Sequence, residues 1–376
     1  MHNSRIYGIG TKALTGRQLV ARHQDDLHRW IGDQRLVVTG AGGSIGSELC
    51  RQIASENPKI LIMIDHNSDA LNSIQARLRS EFPLINLCAI AADSSDQENM
   101  KNILWHQNIS LILHAAAHKH LPLVERYPIE AVANNVLGTH HLLNVARDLE
   151  IPRFVLISSD KAVYPSSIMG ATKRLGELLM HSFNSEPTIC TAVRFGNVLG
   201  SSGSVLPLFQ KQLQAGGPIT VTHEKMKRYF MDIHEAVSLV LQTSYLATGG
   251  EVFVLDMGAQ VKITDLAKRL IQFSGLEPGK DISIKFIGKR SGEKLHECLA
   301  YSDEKLLHSS HPEIQFTRQV PIPTKTLTKA LIEIETAVEY ADGEAVLTAL
   351  ESLLPGYKAS NFAWQAVYPD RNTVPE

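Results

Sequence analysis

The sequence is short of the features that mark several large protein classes. Its 376 residues hold 4 cysteines, Cys50, Cys88, Cys190 and Cys298, none of them in a Cys-x-x-Cys pair. That spacing offers neither a zinc knuckle nor a disulfide framework, and it suits a reducing cytoplasm. Lysine and arginine number 37 against 39 aspartates and glutamates, a formal net charge of −2, with no long basic block. Nucleic acid is therefore not an expected partner. No segment gives 18 uninterrupted apolar residues, and the first 34 residues are polar and charged without the apolar stretch of a signal peptide. Neither secretion nor membrane insertion is expected. Aromatics are only 6%, yet 44% apolar and 20% charged residues are ordinary globular usage, which excludes collagen-like and disordered chains. The length exceeds the ~100 to 200 residues of one domain, so the chain predicts two lobes or one elaborated α/β domain.

From Arg35 onward, short β-branched runs alternate with longer amphipathic stretches, the rhythm of a parallel sheet covered by helices. The runs at 36–40, 60–65, 87–93, 111–117, 154–160 and 191–197 predict strands, several apolar on both faces as buried parallel strands are. Helices are predicted near 44–55, 67–80, 95–105, 128–149 and 167–184. The fold class is α/β, a doubly wound parallel Rossmann sheet with a smaller interleaved α/β substrate lobe. Residues 1–34 read as a polar extension and 35–197 as the sheet domain, completed by a helix at 231–245 and a strand at 251–258. The second lobe is assigned to 198–230 and 259–320. The remainder, 321–376, reads as a helical extension, two helices broken at Asp342-Gly343 and a last 20 or so residues without pattern.

Thr39-Gly40-Ala41-Gly42-Gly43-Ser44-Ile45-Gly46 follows a predicted strand and opens a predicted helix. Glycines there permit a tight turn and a close approach of backbone to a pyrophosphate, which meets the N–H groups of the helix start. Asp65, 19 residues after Gly46 at the end of the next strand, can accept bonds from ribose hydroxyls and repel a 2′-phosphate, which points to NAD over NADP. Asp93 and Ser94 close the third strand at the adenine edge, and Ala115 and Ala116 supply small residues where a flat cofactor would lie.

Ser158-Ser159-Asp160-Lys161 stands at the carboxyl end of the fifth strand, the edge of an open α/β sheet where ligands bind. Eight residues after Lys161 comes Met169-Gly170-Ala171-Thr172-Lys173. Here the chain resembles the extended short-chain dehydrogenase/reductase family, whose Tyr-x-x-x-Lys pair falls on positions 169 and 173. Methionine has no ionisable proton, so the family's usual base is missing. The segments HAAAHKHLPLVE (114–125), NNVLGT (134–139), SSDKAVYPSSIMGATKR (158–174), RFGNVLGSSGSVLPLF (194–209), MKRYFMDIHEAV (226–237) and GEKLHE (292–297) narrow the resemblance to its polysaccharide-biosynthesis branch. The best-known members of that branch are UDP-N-acetylglucosamine 4,6-dehydratases. Many carry transmembrane helices ahead of the catalytic part, and this chain resembles a soluble version.

The resemblance implies NAD-dependent oxidation at carbon 4 of the sugar, loss of water across carbons 5 and 6, and return of hydride to carbon 6. It implies Lys161 as base, Asp160 as acid, Ser159 as donor to the carbon 4 oxygen, and Lys173 on the nicotinamide ribose. The group that deprotonates the 4-hydroxyl is left open between Asp160, a water held by Ser159, and Lys161. Lys161 must be neutral part of the time, through burial or a neighbouring cation such as Lys173. Lys119, His120, Asn197, Ser204, Val205, Leu208, Arg228, Arg290 and Glu293 occupy positions like those that hold the nucleotide sugar. His118 and His120 form an H-x-H pair without a third ligand, so no metal is expected. Two other functions share the fold: a nucleotide-sugar epimerase, and a nonenzymatic NAD(H)-binding protein. The helices near 128–149 and 167–184 resemble the pair through which short-chain dehydrogenases dimerise, so a homo-oligomer is expected. Resemblance to Met-bearing relatives implies retention at carbon 5.

Overall fold

The structure, a computed structural model, describes Leu14 and residues 25–201, 203–319 and 322–368. Most of the polar N-terminal stretch, and Ser202 of the LGSSGS turn, lie outside the described residues. The helix Asp25–Gly32 is inside them; it buries Ile31 and sets Trp30 edge-on to Tyr245.

Six parallel strands form the centre: β1 (Arg35–Thr39), β2 (Ile60–Asp65), β3 (Leu87–Ala91), β4 (Leu111–His114), β5 (Arg153–Ile157) and β6 (Ile189–Arg194). The chain then makes short strands β7 (Asn197–Val198), β8 (Ile219–Val221), β9 (Lys227–Arg228) and β10 (Phe230–Met231), and returns to the sheet as β11 (Glu251–Leu255), parallel to β6. Two more short strands, β12 (Val261–Lys262) and β13 (Ile284–Phe286), precede β14 (Leu307–His308) and β15 (Ile314–Arg318). The sheet order is β14-β15-β11-β6-β5-β4-β1-β2-β3, with β14 and β15 antiparallel at one edge.

Both faces of the sheet are buried. On β1, Val37 joins the core on one side while Leu36 and Val38 join the core on the other, as the two-residue period of a strand requires. A third, smaller core under β8 and the helices Val205–Gln214 and Ile263–Phe273 defines the second lobe. Residues 307–318, expected in that lobe, instead extend the main sheet, because β15 pairs along its whole length with β11.

Several expected strands end two or three residues early. The residues beyond Ala91, His114, Ile157 and Arg194 leave the ladder at the carboxyl edge and become loops, which frees their side chains to line a groove. The helix expected over 128–149 is broken: Pro128–Val132 is followed by a π turn, Ala133–Leu137, before Gly138–Asp148 resumes. The turn accommodates Asn135, whose side chain leaves the helix face to clamp the loop after β4. Asp342 caps the helix Gly343–Leu353 through Ala345 N, so the break expected at Asp342-Gly343 is an N-cap. The last residues, expected to lack pattern, contain a short helix, Asn361–Val367, capped by Ser360. Seven residues are too few for a helical period to show.

Candidate active site

The carboxyl edge of the sheet carries three adjoining cavities of about 230, 270 and 260 Å³, which share walls and form one groove. The first is bounded by Gly40, Gly42, Gly43, Asp65, Asp93 and Ser94, with Ala115 and Ala116 opposite. Gly40 takes φ +68°, and a Cβ there would sit 2.7 Å from Ala116 N. A Cβ on Gly46 would sit 2.0 Å from the Gly40 carbonyl oxygen, so Gly46 acts by letting the helix close on the turn. The helix Ser44–Ser55 begins from Gly43, whose lack of a side chain leaves its start uncapped from that residue. Asp65 is buried, its Oδ2 accepting from Gly42 N at 2.8 Å and its Oδ1 from Asn67 N at 2.8 Å. Bare glycine backbone, a helix start and a fixed carboxylate are the donor and acceptor set that an adenosine diphosphate half needs, so these residues fit NAD.

Thr39 is not in this wall. It is fully buried and its Oγ1 lies 2.7 Å from His114 Nδ1, tying β1 to β4. Ser44 does not border the cavities either, whereas Ile45 lines the second, with Ser159 and Lys173. Lys173 Nζ donates to Ile157 O at 2.8 Å, and burial pushes it down to about 8.

Where the second and third cavities meet stand Lys161, Met169 and Asn197. Lys161 Nζ donates to Asp160 Oδ1 at 2.9 Å and to Asn197 Oδ1 at 3.0 Å. Ser159 Oγ donates to the same Asp160 oxygen at 3.0 Å. Asp160 is wholly buried beneath the groove wall, and its Oδ2 has no hydrogen-bond partner among the described residues. Lys173, the cation expected near Lys161, lines the same cavity with its Nζ donating to Ile157 O, and the charge touching Lys161 is the Asp160 carboxylate.

All nine residues assigned to the nucleotide sugar border the third cavity: Lys119, His120, Asn197 and Ser204, which also line the second; Val205 and Leu208 on one helix; and Arg228, Arg290 and Glu293. Arg228 is buried between two carboxylates, 4.0 Å from Glu293 Oε1 and 3.8 Å from Glu297 Oε1.

Three supporting groups escaped sequence reasoning. Asn135 accepts from His118 N at 2.7 Å and donates to His118 O and Thr172 Oγ1, each at 3.0 Å, which joins the loop after β4 to the Met169 helix. A polar residue in the apolar stripe of a helix was the available signal. Glu177 accepts from Ser158 Oγ at 2.6 Å and from Arg194 Nε at 2.7 Å, and Arg194 also grips Glu304. Burial alone would raise Glu177, but the Arg194 guanidinium holds it down at about 2. Glu297, held by Lys294 at 3.1 Å, completes the Arg228 pocket.

Residues 36–319 match the family model described as "Polysaccharide biosynthesis protein". The chain belongs to that family. It is 48% identical over 299 residues to "Capsular polysaccharide biosynthesis protein CapD" of Staphylococcus aureus, covering 79% of this chain and 50% of that one, so it spans half of that relative's length. It is 30% identical over 279 residues to "UDP-N-acetylglucosamine 4,6-dehydratase (inverting)" of Campylobacter jejuni, covering 73% of this chain and 79% of the relative. The solved structure of Pen from Bacillus thuringiensis superposes with a TM-score of 0.71 at 30% identity, over 77% of this chain and 90% of Pen. The family's members are extended short-chain dehydrogenase/reductase proteins, and the doubly wound sheet with its small substrate lobe has that architecture. No helix among the described residues is long and apolar enough to cross a membrane.

Proposed function

We propose that this chain is an NAD-dependent nucleotide-sugar 4,6-dehydratase. Its substrate is UDP-N-acetylglucosamine or a close UDP-hexosamine, and its product is a UDP-2-acetamido-2,6-dideoxy-4-hexulose for a bacterial surface glycan. The observation that carries this reading is the pairing of Lys161 with buried Asp160 beside Met169, where cofactor and substrate cavities meet. An epimerase needs no acid for a leaving 6-hydroxyl; an elimination does.

NAD would be held by Gly40, Gly42, Gly43, Ile45, Asp65 and Lys173, and would supply the acceptor for the carbon 4 hydride and the donor that returns it to carbon 6. The chain's own residues manage the protons. Lys161 Nζ donates to Asp160 Oδ1 at 2.9 Å, close enough for a proton to pass directly between the two groups. On oxidation the 4-hydroxyl proton passes through Ser159 to the Asp160 carboxylate. Lys161, as the neutral amine, takes the carbon 5 proton, Asp160 returns its proton by the same path to the hydroxyl leaving carbon 6 as water, and Lys161 gives a proton back to carbon 5. Ser159, held to Asp160, orients the carbon 4 oxygen. Arg228 and Arg290 offer guanidinium forks to the diphosphate.

The test is incubation with UDP-N-acetylglucosamine in deuterium oxide, read by mass spectrometry and NMR. Loss of one water with deuterium at carbon 5 is expected, with ring couplings showing retention. Lys161→Met should lower that rate by about 10²–10⁴-fold. A new axial 4-hydroxyl without water loss would mean an epimerase, and an untouched substrate with NAD present would favour a binding protein.

A further inference from the structure

The helix pair Pro128–Asp148 and Ile168–Phe183 presents an apolar flank on the side of the sheet away from the Ser44–Ser55 helix. That flank is covered, and what covers it is the same chain. The helix Thr324–Glu339 packs on the 128–132 helix and on the π turn, and the helix Gly343–Leu353 packs on 128–132 and on the catalytic helix 168–183. Leu331, Ile334, Val346, Leu347 and Leu350 are buried in one continuous core with Val132, Val136, Leu175 and Leu179. The outward face is mostly polar: Lys325, Thr328, Lys329, Glu333 and Thr336 are exposed, with Ile332, Tyr340 and Phe362 as interruptions.

A histidine pair faces a carboxylate of the cover at one end, and a hydrogen-bonded tie fastens the other. His140 Nδ1 and His141 Nε2 lie 3.5 and 3.9 Å from Glu335 Oε1. At the other end Ser360 Oγ donates to Glu125 Oε2 at 2.5 Å, while Glu125 Oε1 accepts from Ile168 N at 2.6 Å. Glu125 is buried, so its two bonds join the C-terminal helices to the first residue of the helix that carries Met169 and Lys173.

We propose that residues 324–368 take, within one chain, the place of a second copy on this helix pair, so that the protein does not self-associate through it. The oligomer expected from these helices is thereby replaced by an intramolecular contact. A buried apolar seam, a mostly polar outer face and a buried hydrogen-bonded tie are what an occupied interface has and a vacant one lacks.

The intact protein tests this directly. An equal mixture of unlabelled and ¹⁵N-labelled chains is cross-linked through lysines and carboxylates. Links from 128–148 or 168–183 to 324–353 should join chains of the same label only. Mixed-label links at this flank, whether from a paired or an exchanged segment, would overturn the proposal. Hydrogen exchange of amides 128–148 should also be unchanged over a hundredfold dilution, and dilution-dependent protection would count against it. In Leu347→Lys, where the cover is loosened, exchange in 128–148 should rise and a two-chain species should form by light scattering. If the flank opens but the mass stays at 41.5 kDa, a second copy is not what the cover replaces.

Discussion

Met169 and Lys173 stand one helical turn apart, but only Lys173 has a proton to lose. Its burial pushes it down to about 8, so the ammonium is present below that pH and lost above it. A pH profile of kcat/KM should therefore fall above about pH 8, and Lys173→Arg, whose guanidinium stays charged past pH 12, should lack that limb. An unchanged limb in the variant would assign it to another group. At this scale the sequence was informative where neighbours in space are neighbours in the chain: Ser159, Asp160 and Lys161 meet because they are consecutive at a strand end. It was silent on Asp160 being fully buried and on Asn197 receiving the second bond of Lys161, since that contact spans 36 residues.

Elements were legible wherever composition repeats with a regular period. The six parallel strands and their helices follow from apolar runs and from capping residues such as Asn67, Asp96 and Ser167. The π turn at Ala133–Leu137 was not, because its cause is a side-chain clamp on a distant loop. The Gly-rich turn shows how closely an element can be dictated by one absent atom. With 2.0 Å between a Cβ on residue 46 and the Gly40 carbonyl oxygen, Gly46→Ala must displace the helix start. It should cost about 1–3 kcal/mol in denaturant unfolding and lower the NAD content of the purified protein. Full NAD content at wild-type stability would show that the turn can yield.

For the molecule as a whole, acid stability has two windows. His114 is buried between Thr39 and Thr139, and burial, then the charge of Lys173, pushes it down to about 3. A histidine lowered on folding binds its proton only in the unfolded chain across that interval. Stability is thus full above about pH 6.5 and falls as pH drops, by at most ~1.4 kcal/mol per unit. Glu48 and Glu177 are each held at about 2 by arginine against their burial, so their contributions are lost only below about pH 4.5. Unfolding free energies at pH 7, 6 and 5 should decline in the native chain and less steeply in His114→Asn, where His140, also lowered by burial, still contributes; an equal decline in both would exclude His114 as a source. The amino-acid sequence by itself determined the doubly wound sheet, the glycine turn, the strand-end Asp-Lys pair and the family, because each is written in a local period or a contiguous motif. Tertiary structure alone decided that β14 and β15 widen the sheet and that Thr39 braces rather than binds. It also decided that Lys161 faces a carboxylate and that the C-terminal helices close over the flank expected to pair with another chain. Those outcomes depend on contacts between residues far apart in the chain, and no periodicity encodes which distant surfaces meet.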